Sequence, residues 1–390
     1  MIDFDFVSPT KIYFGNNKEE LVGEICQEHG YKRVFIVIGQ GSVKRTGLLD
    51  RVEASFDYAG IKYHILEGVR PNPAIDLCRK GIEEARIFAP NMILAIGGGS
   101  VIDTAKSIAV GYFYAGDPFD FNMHKAQPKK ALPIGVILTI AASGSELSNS
   151  CVIQDDEKQI KMGFNEDIVR PVFAIENPKL TYSLSKTQTA YGIVDIMMHT
   201  LERYFHASSE NEPADGFAEA LLKSVIQAAH VVVDNPTDYD ARAVLMLMSS
   251  FSHNDLTSIG KKKLLFVHQL EHAVSGLYPE VAHAAGLAVL FPAWAKYYVN
   301  YDTDKFNKFA TNVFGLTNKN KLENAKTGIK ELEKLFALLE MPTSFKDLGI
   351  EKPDIERLTN LVTDNGTRVI KHPFKDMDQE VVRTIYQSCL

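Results

Sequence analysis

The sequence predicts two domains: an α/β domain with a mainly parallel sheet over residues 1–180, and an all-helical domain over residues 181–390. Length is the first reason, because a chain of 390 residues exceeds the roughly 250 to 300 residues at which a single hydrophobic core stops growing. Periodicity is the second. Short runs rich in Val and Ile alternate with amphipathic stretches in the first half, whereas the segments after about residue 180 repeat at helical period.

The strands of the first domain are predicted from apolar runs bounded by glycine or proline. These runs are RVFIVIG (33 to 39), YHILEG (63 to 68), MILAIGG (92 to 98), PIGVILT (133 to 139) and PVFAIEN (171 to 177). Amphipathic segments such as SVKRTGLLDRVEASFDYAG lie between several of them, which indicates βαβ units. The second domain is predicted from helical segments such as LSKTQTAYGIVDIMMHTLERYF and ENAKTGIKELEKLFALLE.

Composition and charge narrow the function classes. The formal net charge of −7 argues against a nucleic acid partner, because phosphate binding requires a basic face. The longest apolar stretches fall short of the roughly 20 residues that span a bilayer, and the start MIDFDFVSPT has no signal-peptide features, so we expect no membrane association. Four cysteines without a C-x-x-C pair indicate a reducing compartment, and a cytoplasmic enzyme is expected.

Two glycine-rich turns follow predicted strands and open predicted helices. They are GQGSVKRTG at 39 to 47 and GGGSVIDTAK at 97 to 106. Glycine allows the backbone to approach a phosphate closely, and a helix N-terminus offers N–H groups to it. Either turn alone is equally typical of any α/β fold, and neither has the G-x-G-x-x-G pattern. Two such turns on adjacent strands would lie at the carboxyl edge of one sheet, which favours a bound dinucleotide.

The first turn also bears on the choice of dinucleotide. Sites specific for NAD usually place an acidic side chain near the ribose 2′-hydroxyl, where it repels a 2′-phosphate. The turn here carries Gln40, Ser42, Lys44 and Arg45 instead. These small, polar and basic side chains favour NADP(H) over NAD(H), although Lys44 and Arg45 are also explained as solvent-facing residues of a first helical turn.

Histidines and one aspartate form the candidate metal site. His268 and His272 are four residues apart, and so are Asp195 and His199 upstream, so each pair lies on one face of a predicted helix. Together with His283 they offer nitrogen and oxygen ligands suited to a divalent cation. A lone helical histidine pair also has a plain structural explanation, and the spacing leaves open which of the three histidines does not bind the metal.

Motifs along nearly the whole chain resemble those of the iron-containing (group III) alcohol dehydrogenase family, and within it the NADPH-dependent butanol dehydrogenase and aldehyde reductase branch. In order they are KIYFG, GQGSVKRTG, RPNP at 70 to 73, GGGSVIDTAK, LTIAASGSE at 138 to 146, D-x3-H at 195 to 199, HQLEH followed by His283, and DQEVVRTIY. Three features depart from the family pattern. GKKKLLFVH stands where G-D-W-A-T-H is common, Ala284 follows His283 where Gly is usual, and one extra residue separates His272 from His283.

The resemblance implies a dehydroquinate synthase-like fold and assigns roles to individual residues. The metal, Fe2+ or Zn2+, would be held by Asp195, His199, His268 and His283. His272 would lie near the nicotinamide as the catalytic residue, either passing a proton to solvent or orienting a metal ligand. The cofactor positions of the family map onto Gly39, Gly41, Ser42, Asn72, Gly97, Gly98, Gly99, Ser100, Asp103, Thr139, Ser143, Lys161 and Leu180.

The implied reaction is hydride transfer between NADP(H) and a small primary alcohol or aldehyde, with the divalent ion acting as a Lewis acid on the substrate oxygen. The expected site is the cleft between the two domains, and the expected assembly is a homodimer. Two alternatives are a glycerol or polyol dehydrogenase of the same superfamily and a non-catalytic nucleotide- or metal-binding relative. The GKKKLL run at 260 to 265 is interpreted as a solvated loop or helix start, and Phe266 and Trp294 as core residues.

Overall fold

The computed structural model describes residues 1–206 and 211–390. They form two compact units: Val7–Leu184, called here the α/β unit, and Met1–Phe6 with Ser185–Leu390, called here the helical unit. The division between Leu184 and Ser185 falls slightly after the predicted boundary at residues 180 and 181. The N-terminal residues Met1–Phe6 group with the helical unit, where the Ile2 N–H donates to the Gly260 carbonyl at 3.0 Å.

A six-stranded sheet, parallel throughout, forms the centre of the α/β unit, with the strand order β1-β8-β5-β4-β2-β3. A separate antiparallel hairpin consists of β6 and β7. The mainly parallel sheet is therefore confirmed, and each of the five predicted runs overlaps one strand. The strands are β1 (Lys11–Phe14), β2 (Arg33–Gly39), β3 (Lys62–Val69), β4 (Met92–Gly97), β5 (Ile134–Leu138), β6 (Ser150–Asp155), β7 (Ile160–Asn165) and β8 (Phe173–Glu176).

The helices of the α/β unit connect these strands. The predicted amphipathic segment after β2 is interrupted at Thr46 and Gly47, because Gly47 adopts a left-handed φ of 67°. One short helical turn precedes this break and a longer helix follows it. The helices are α1 (Val22–Glu28), α2 (Ser42–Arg45), α3 (Leu48–Tyr58), α4 (Ile75–Phe88), α5 (Gly99–Gly111) and α6 (Phe119–Asn122), with 3-10 turns at Lys18–Leu21, Asp167–Val169 and Pro178–Thr181.

The strand order places a topological switch point between β2 and β4. The chain leaves β2 for β3 on one side and then returns to form β4 on the other side of β2. In open α/β sheets, ligands bind outside the carboxyl ends of the strands at such a point. Both predicted glycine-rich turns start there, since β2 ends at Gly39 and β4 ends at Gly97.

The helical unit forms its own core around Trp294, which packs against Phe205, Phe266 and Phe291 with ring centroids 4.8 to 5.4 Å apart. Phe266 and Trp294 are fully buried, as expected for core residues. The all-helical prediction is confirmed, since the described part of this unit contains no strand beyond an isolated bridge between Ile370 and Met377. Its helices are α7 (Lys186–Tyr204), α8 (Glu212–Asp234), α9 (Tyr239–Ser252), α10 (Phe266–Leu277), α11 (His283–Tyr298), α12 (Thr303–Phe314), α13 (Lys321–Leu338), α14 (Ile355–Thr363) and α15 (Gln379–Gln387).

Helix α8 is long and apolar enough, by length and composition alone, to cross a membrane. Its buried residues recur at helical spacing, at Ala214, Ala218, Leu222, Val225 and Ala229. This pattern is that of an amphipathic helix, and the helix packs against α7 and α9.

Candidate metal centre and dinucleotide site

Helix α7 carries the first two candidate metal ligands. It begins with a capping box in which the Ser185 side chain accepts from the Gln188 N–H and the Gln188 side chain accepts from the Ser185 N–H. Such a cap stabilises a helix start by about 1 kcal/mol. Asp195 and His199, four residues apart, then lie on one face of the helix, and both side chains are buried.

Three candidate ligand atoms converge within the helical unit. Asp195, His199 and His268 each offer one ligand atom, and these three atoms lie within 4.8 Å of one another. The Asp195 Oδ1 atom is 3.4 Å from His199 Nδ1 and 3.9 Å from His268 Nε2. These three residues are called the Asp/His cluster below.

The Asp/His cluster fits a divalent cation. Each of the three converging atoms is buried and has no hydrogen-bond partner among the described residues. Leaving one buried polar atom unsatisfied costs about 1–3 kcal/mol, so three adjacent cases require an explanation. One carboxylate oxygen and two imidazole nitrogens are ligands that Zn2+ and Fe2+ accept, and a bound ion would satisfy all three atoms at once.

A glutamate on α7 fixes the orientation of His268. The Glu202 Oε1 atom contacts His268 Nδ1, and the Glu202 Oε2 atom accepts the Val267 N–H at 2.6 Å. The imidazole therefore directs Nε2 toward Asp195, the carboxylate–histidine arrangement common around metal ions. Burial opposes protonation of this ring, but the Glu202 and Asp195 carboxylates outweigh burial and raise the pKa of His268 to about 9.

A second glutamate contacts His283, the first residue of α11. The Glu271 Oε2 atom touches His283 Nδ1, and its Oε1 atom accepts from the Ser275 hydroxyl. Gly286 makes room for this carboxylate, since a Cβ atom there would lie 2.9 Å from the Glu271 Cγ atom. The His283 ring centroid lies 5.2 Å from that of His268. The structure thus groups three of the four proposed ligands in the Asp/His cluster. The fourth, His283, lies beside the cluster and contacts Glu271.

Two further histidines border the cluster. The His253 ring lies 4.1 Å from that of His199, and the His272 ring lies 5.6 Å from that of His283. Burial, together with the neighbouring His253 and His268 rings, holds the pKa of His199 well below its usual range. The lowered pKa favours the neutral form of His199, which is the form that binds metals, whereas a cation bound by His268 would have to displace a proton from that ring.

Sequence reasoning missed Glu202, Glu271 and His253. A signal existed for the two glutamates, because Glu202 follows His199 by three residues and Glu271 follows His268 by three, so each shares a helix face with a proposed ligand. No comparable signal pointed to His253, which reaches His199 from the C-terminal end of α9.

The interpretation of GKKKLL as a solvated loop or helix start is wrong for Lys261. Its side chain is buried, and Nζ donates to Asp215 Oδ1 at 2.6 Å and to the Arg203 carbonyl at 3.2 Å. Burial of a lysine requires such a partner. The run that departs from the family pattern is therefore anchored in the helical unit just before α10 begins at Phe266.

The predicted cofactor residues of the two glycine turns lie at the carboxyl edge of the sheet. Gly41 has a φ of 101°, which favours glycine, and Ser42 begins α2. In the second turn, a Cβ atom at Gly98 would lie 2.0 Å from Ile140 Cγ2, and one at Gly99 would lie 2.3 Å from Ser143 Oγ. Close packing of the turn against the loop after β5 thus requires glycine at both positions, independently of any role in cofactor binding.

The loop after β5 brings Thr139 to the same edge, since its N–H donates to the Gly97 carbonyl at 3.1 Å. Ser100 lies in the first turn of α5, which starts at Gly99. Elsewhere on this edge, Lys161 Nζ donates to Asn72 Oδ1 at 3.0 Å. Leu180 lies in the 3-10 turn that follows β8.

Asp103 and Lys106 attach helix α5 to this loop. The Asp103 carboxylate accepts from the Ser145 hydroxyl at 2.6 Å and from the Val152 N–H at 3.0 Å. The buried Lys106 Nζ atom donates to three carbonyls at 2.7 to 2.9 Å, those of Ser145, Ser148 and Ser150. Burial lowers the pKa of Lys106 to about 8. Asp103, predicted as a cofactor residue, thus contacts other protein groups. The sequence did not predict that Lys106 holds α5 against this loop.

Family models match nearly the whole chain. The model described as "Iron-containing alcohol dehydrogenase" matches residues 9–178, and that described as "Fe-containing alcohol dehydrogenase family, C-terminal" matches residues 189–390. The chain is 40% identical over 368 residues to NADH-dependent butanol dehydrogenase A of Clostridium acetobutylicum, with 94% of each chain covered. It is 31% identical to the NADPH-dependent aldehyde reductase YqhD of Escherichia coli, with 100% of each covered.

Solved structures agree with these relatives. The crystal structure of NADH-dependent butanol dehydrogenase A from Thermotoga maritima superposes with a TM-score of 0.95 at 33% identity, covering 100% of this chain and 99% of that chain. Fold, site and relatives define an oxidoreductase that acts on alcohols or aldehydes. The chain belongs to the iron-containing alcohol dehydrogenase family.

Proposed function

We propose that this protein is a cytoplasmic, homodimeric, divalent-metal-dependent enzyme that transfers a hydride between a nicotinamide dinucleotide and a small primary alcohol or aldehyde. The observation that carries the proposal is the Asp/His cluster, in which three buried ligand atoms without hydrogen-bond partners among the described residues converge within 4.8 Å. The names of the relatives, butanol dehydrogenase and aldehyde reductase, support the substrate class.

The proposed metal ligands are Asp195, His199, His268 and His283. A divalent cation in this site would supply Lewis acidity toward the oxygen of the alcohol or aldehyde. Fe2+ and Zn2+ both suit one carboxylate and three imidazoles, and Zn2+ usually binds such donors more tightly. Metal availability then decides which ion is present.

The other residues of the site orient the metal ligands or exchange a proton. Glu202 holds the His268 ring, and Glu271 does the same for His283. His272 is half-buried beside His283, and we assign it the exchange of the hydroxyl proton with solvent. No nucleophilic side chain is required for this reaction class.

The α/β unit would bind the dinucleotide at its sheet switch point, through the glycine turns and the residues that surround them. The predicted preference for NADP(H) stays a prediction, and the relatives differ on it, being named NADH-dependent in one case and NADPH-dependent in the other. The proposed cofactor residues are Gly39, Gly41, Ser42, Asn72, Gly97, Gly98, Gly99, Ser100, Asp103, Thr139, Ser143, Lys161 and Leu180.

The test combines metal content with turnover. Protein stripped of metal is given Fe2+, Zn2+ or no metal, and the oxidation of NADH and NADPH by butanal is followed. We expect activity only after metal addition, with one ion bound per chain. His268→Ala should lose both, whereas His230→Ala, which changes an exposed histidine on α8, should lose neither.

Three outcomes would contradict the proposal. Full activity in the stripped protein would exclude a role for the metal. A folded protein that binds metal and dinucleotide but turns over neither butanal nor butanol would favour a non-catalytic relative, and turnover of glycerol alone would favour a polyol dehydrogenase.

A further inference from the structure

A glutamate outside the glycine turns lies next to the first of them. Strand β3 pairs with β2 so that Val37 is opposite Leu66 and Gly39 is opposite Val69, which leaves an extra residue in β3 between these pairs. Such a bulge re-aims a side chain and is common beside functional sites. The bulge contains Glu67 and Gly68, and Gly68 has a φ of 111°.

The Glu67 carboxylate reaches two parts of the first turn. It forms an ion pair with Lys44 Nζ on the short helix α2. Its Oε1 atom also lies 4.0 Å from the position that a Cβ atom would take at Gly41. Arg45 Nη1 lies 3.6 Å from the same position, so Gly41 is flanked by a carboxylate and a guanidinium.

The exposure of the pair leaves it available to a ligand. The Lys44 and Glu67 side chains are 48% and 43% exposed, respectively. An ion pair this exposed contributes little to stability, typically below about 1 kcal/mol, so a stabilising role does not explain it.

In dinucleotide-binding α/β sheets, an acidic residue about 20 residues beyond the glycine turn accepts the ribose 2′-hydroxyl of NAD, whereas a nearby Arg accommodates the 2′-phosphate of NADP. Glu67 has this placement, because it lies near the carboxyl end of the strand that follows and neighbours β2. Its negative charge would repel a phosphate, and its contact with Lys44 neutralises one of the two cations that favour NADP(H).

We propose that Glu67 sets the dinucleotide specificity of this enzyme, by accepting the ribose 2′-hydroxyl of NAD(H), opposing the 2′-phosphate of NADP(H) and neutralising Lys44. The proposal rests on the proposed binding of a dinucleotide at the sheet switch point. It reverses the preference expected from Lys44 and Arg45 alone and assigns NAD(H) as the favoured cofactor.

The test measures dissociation constants for NADH and NADPH by fluorescence titration of the full-length, metal-loaded protein, so that turnover is not needed. We expect the wild type to bind NADH more tightly. Glu67→Gln keeps the shape and removes the charge, and it should shift the ratio of the two constants toward NADPH by about tenfold or more. Lys44→Gln should weaken NADPH binding relative to the wild type, because Glu67 then faces the 2′-phosphate without a cation beside it.

The control is Glu84→Gln, which removes another surface carboxylate of the α/β unit, one that pairs with His64. It should leave the ratio unchanged. A Glu67→Gln ratio within about twofold of the wild type, with both dinucleotides still bound, would overturn the role of Glu67 and leave the proposed function intact. A folded wild type that binds neither dinucleotide would overturn both.

Discussion

Replacement of Glu202 by glutamine should weaken metal binding without unfolding the protein. The Glu202 carboxylate contacts His268 Nδ1 and also accepts the Val267 N–H at 2.6 Å. A glutamine can keep the second contact through its amide oxygen, but it loses the charge that increases the basicity of the ring. Loss of such a carboxylate partner lowers metal affinity by roughly 10- to 100-fold, or about 1.4–2.8 kcal/mol.

The assay is competition with a chromogenic chelator for Zn2+, supported by the visible spectrum of the Co2+-loaded protein, which reports ligand geometry. Glu219→Gln is the matched control, since it also removes a buried carboxylate, one that accepts from Tyr204 and Asn312 at 2.9 Å. The Zn2+ affinity of this variant should stay within about twofold of the wild-type affinity. If Glu202→Gln, folded by circular dichroism, bound Zn2+ within about threefold of the wild type, Glu202 would not position His268.

Three further outcomes are expected. Gly328→Ala should destabilise the protein by about 1–3 kcal/mol, because its Cβ atom would lie 2.7 Å from Ala310 Cβ and 3.0 Å from Ala310 Cα. Gly216→Ala, with no described heavy atom within 4 Å of the new Cβ atom, should instead stabilise α8 by about 0.5–1 kcal/mol. Equal urea midpoints for the two variants would contradict this. Burial lowers the pKa of His372 to about 3, so only the unfolded state takes up a proton between about pH 6.5 and 3, and stability falls as the pH drops. The loss at pH 5 is about 2 kcal/mol, and His372→Gln should remove it in urea unfolding followed by Trp294 fluorescence, whereas an unchanged pH slope would refute the assignment. Ser185→Ala should lower the free energy of unfolding by about 1 kcal/mol through loss of the α7 cap, and Ser183→Ala is the neutral control. The same urea midpoint for both variants would exclude a stabilising cap.

The sequence predicted the elements whose signals are local. Buried strands such as β2 and β4 are continuous apolar runs, and Asp195 and His199 share a helix face by spacing alone. Strand β1, with only four residues at the sheet edge, has too short a pattern to stand out. The hairpin of β6 and β7 was missed because polar residues such as Gln154 and Lys161 interrupt its apolar positions.

Features that depend on tertiary register could not be predicted. Glu67 is one residue in a strand until the bulge between β2 and β3 turns it toward Gly41. Lys261 belongs to a run of three lysines, and its buried contacts with Asp215 and the Arg203 carbonyl distinguish it from its neighbours. Long-range partners of this kind carry no periodic signal, so the sequence indicates the residue types and the fold decides which of them meet.

The enclosure of Lys106 has a consequence for how the α/β unit opens. One ammonium group joins helix α5 to three carbonyls of the segment 145 to 150, so separation of that segment from the helix would break three hydrogen bonds at once. We therefore expect the loop to behave as part of the helix in hydrogen exchange. Its slowest amides should exchange at the rate of α5, as one cooperative unit, even though the loop has no regular secondary structure of its own over residues 139 to 149.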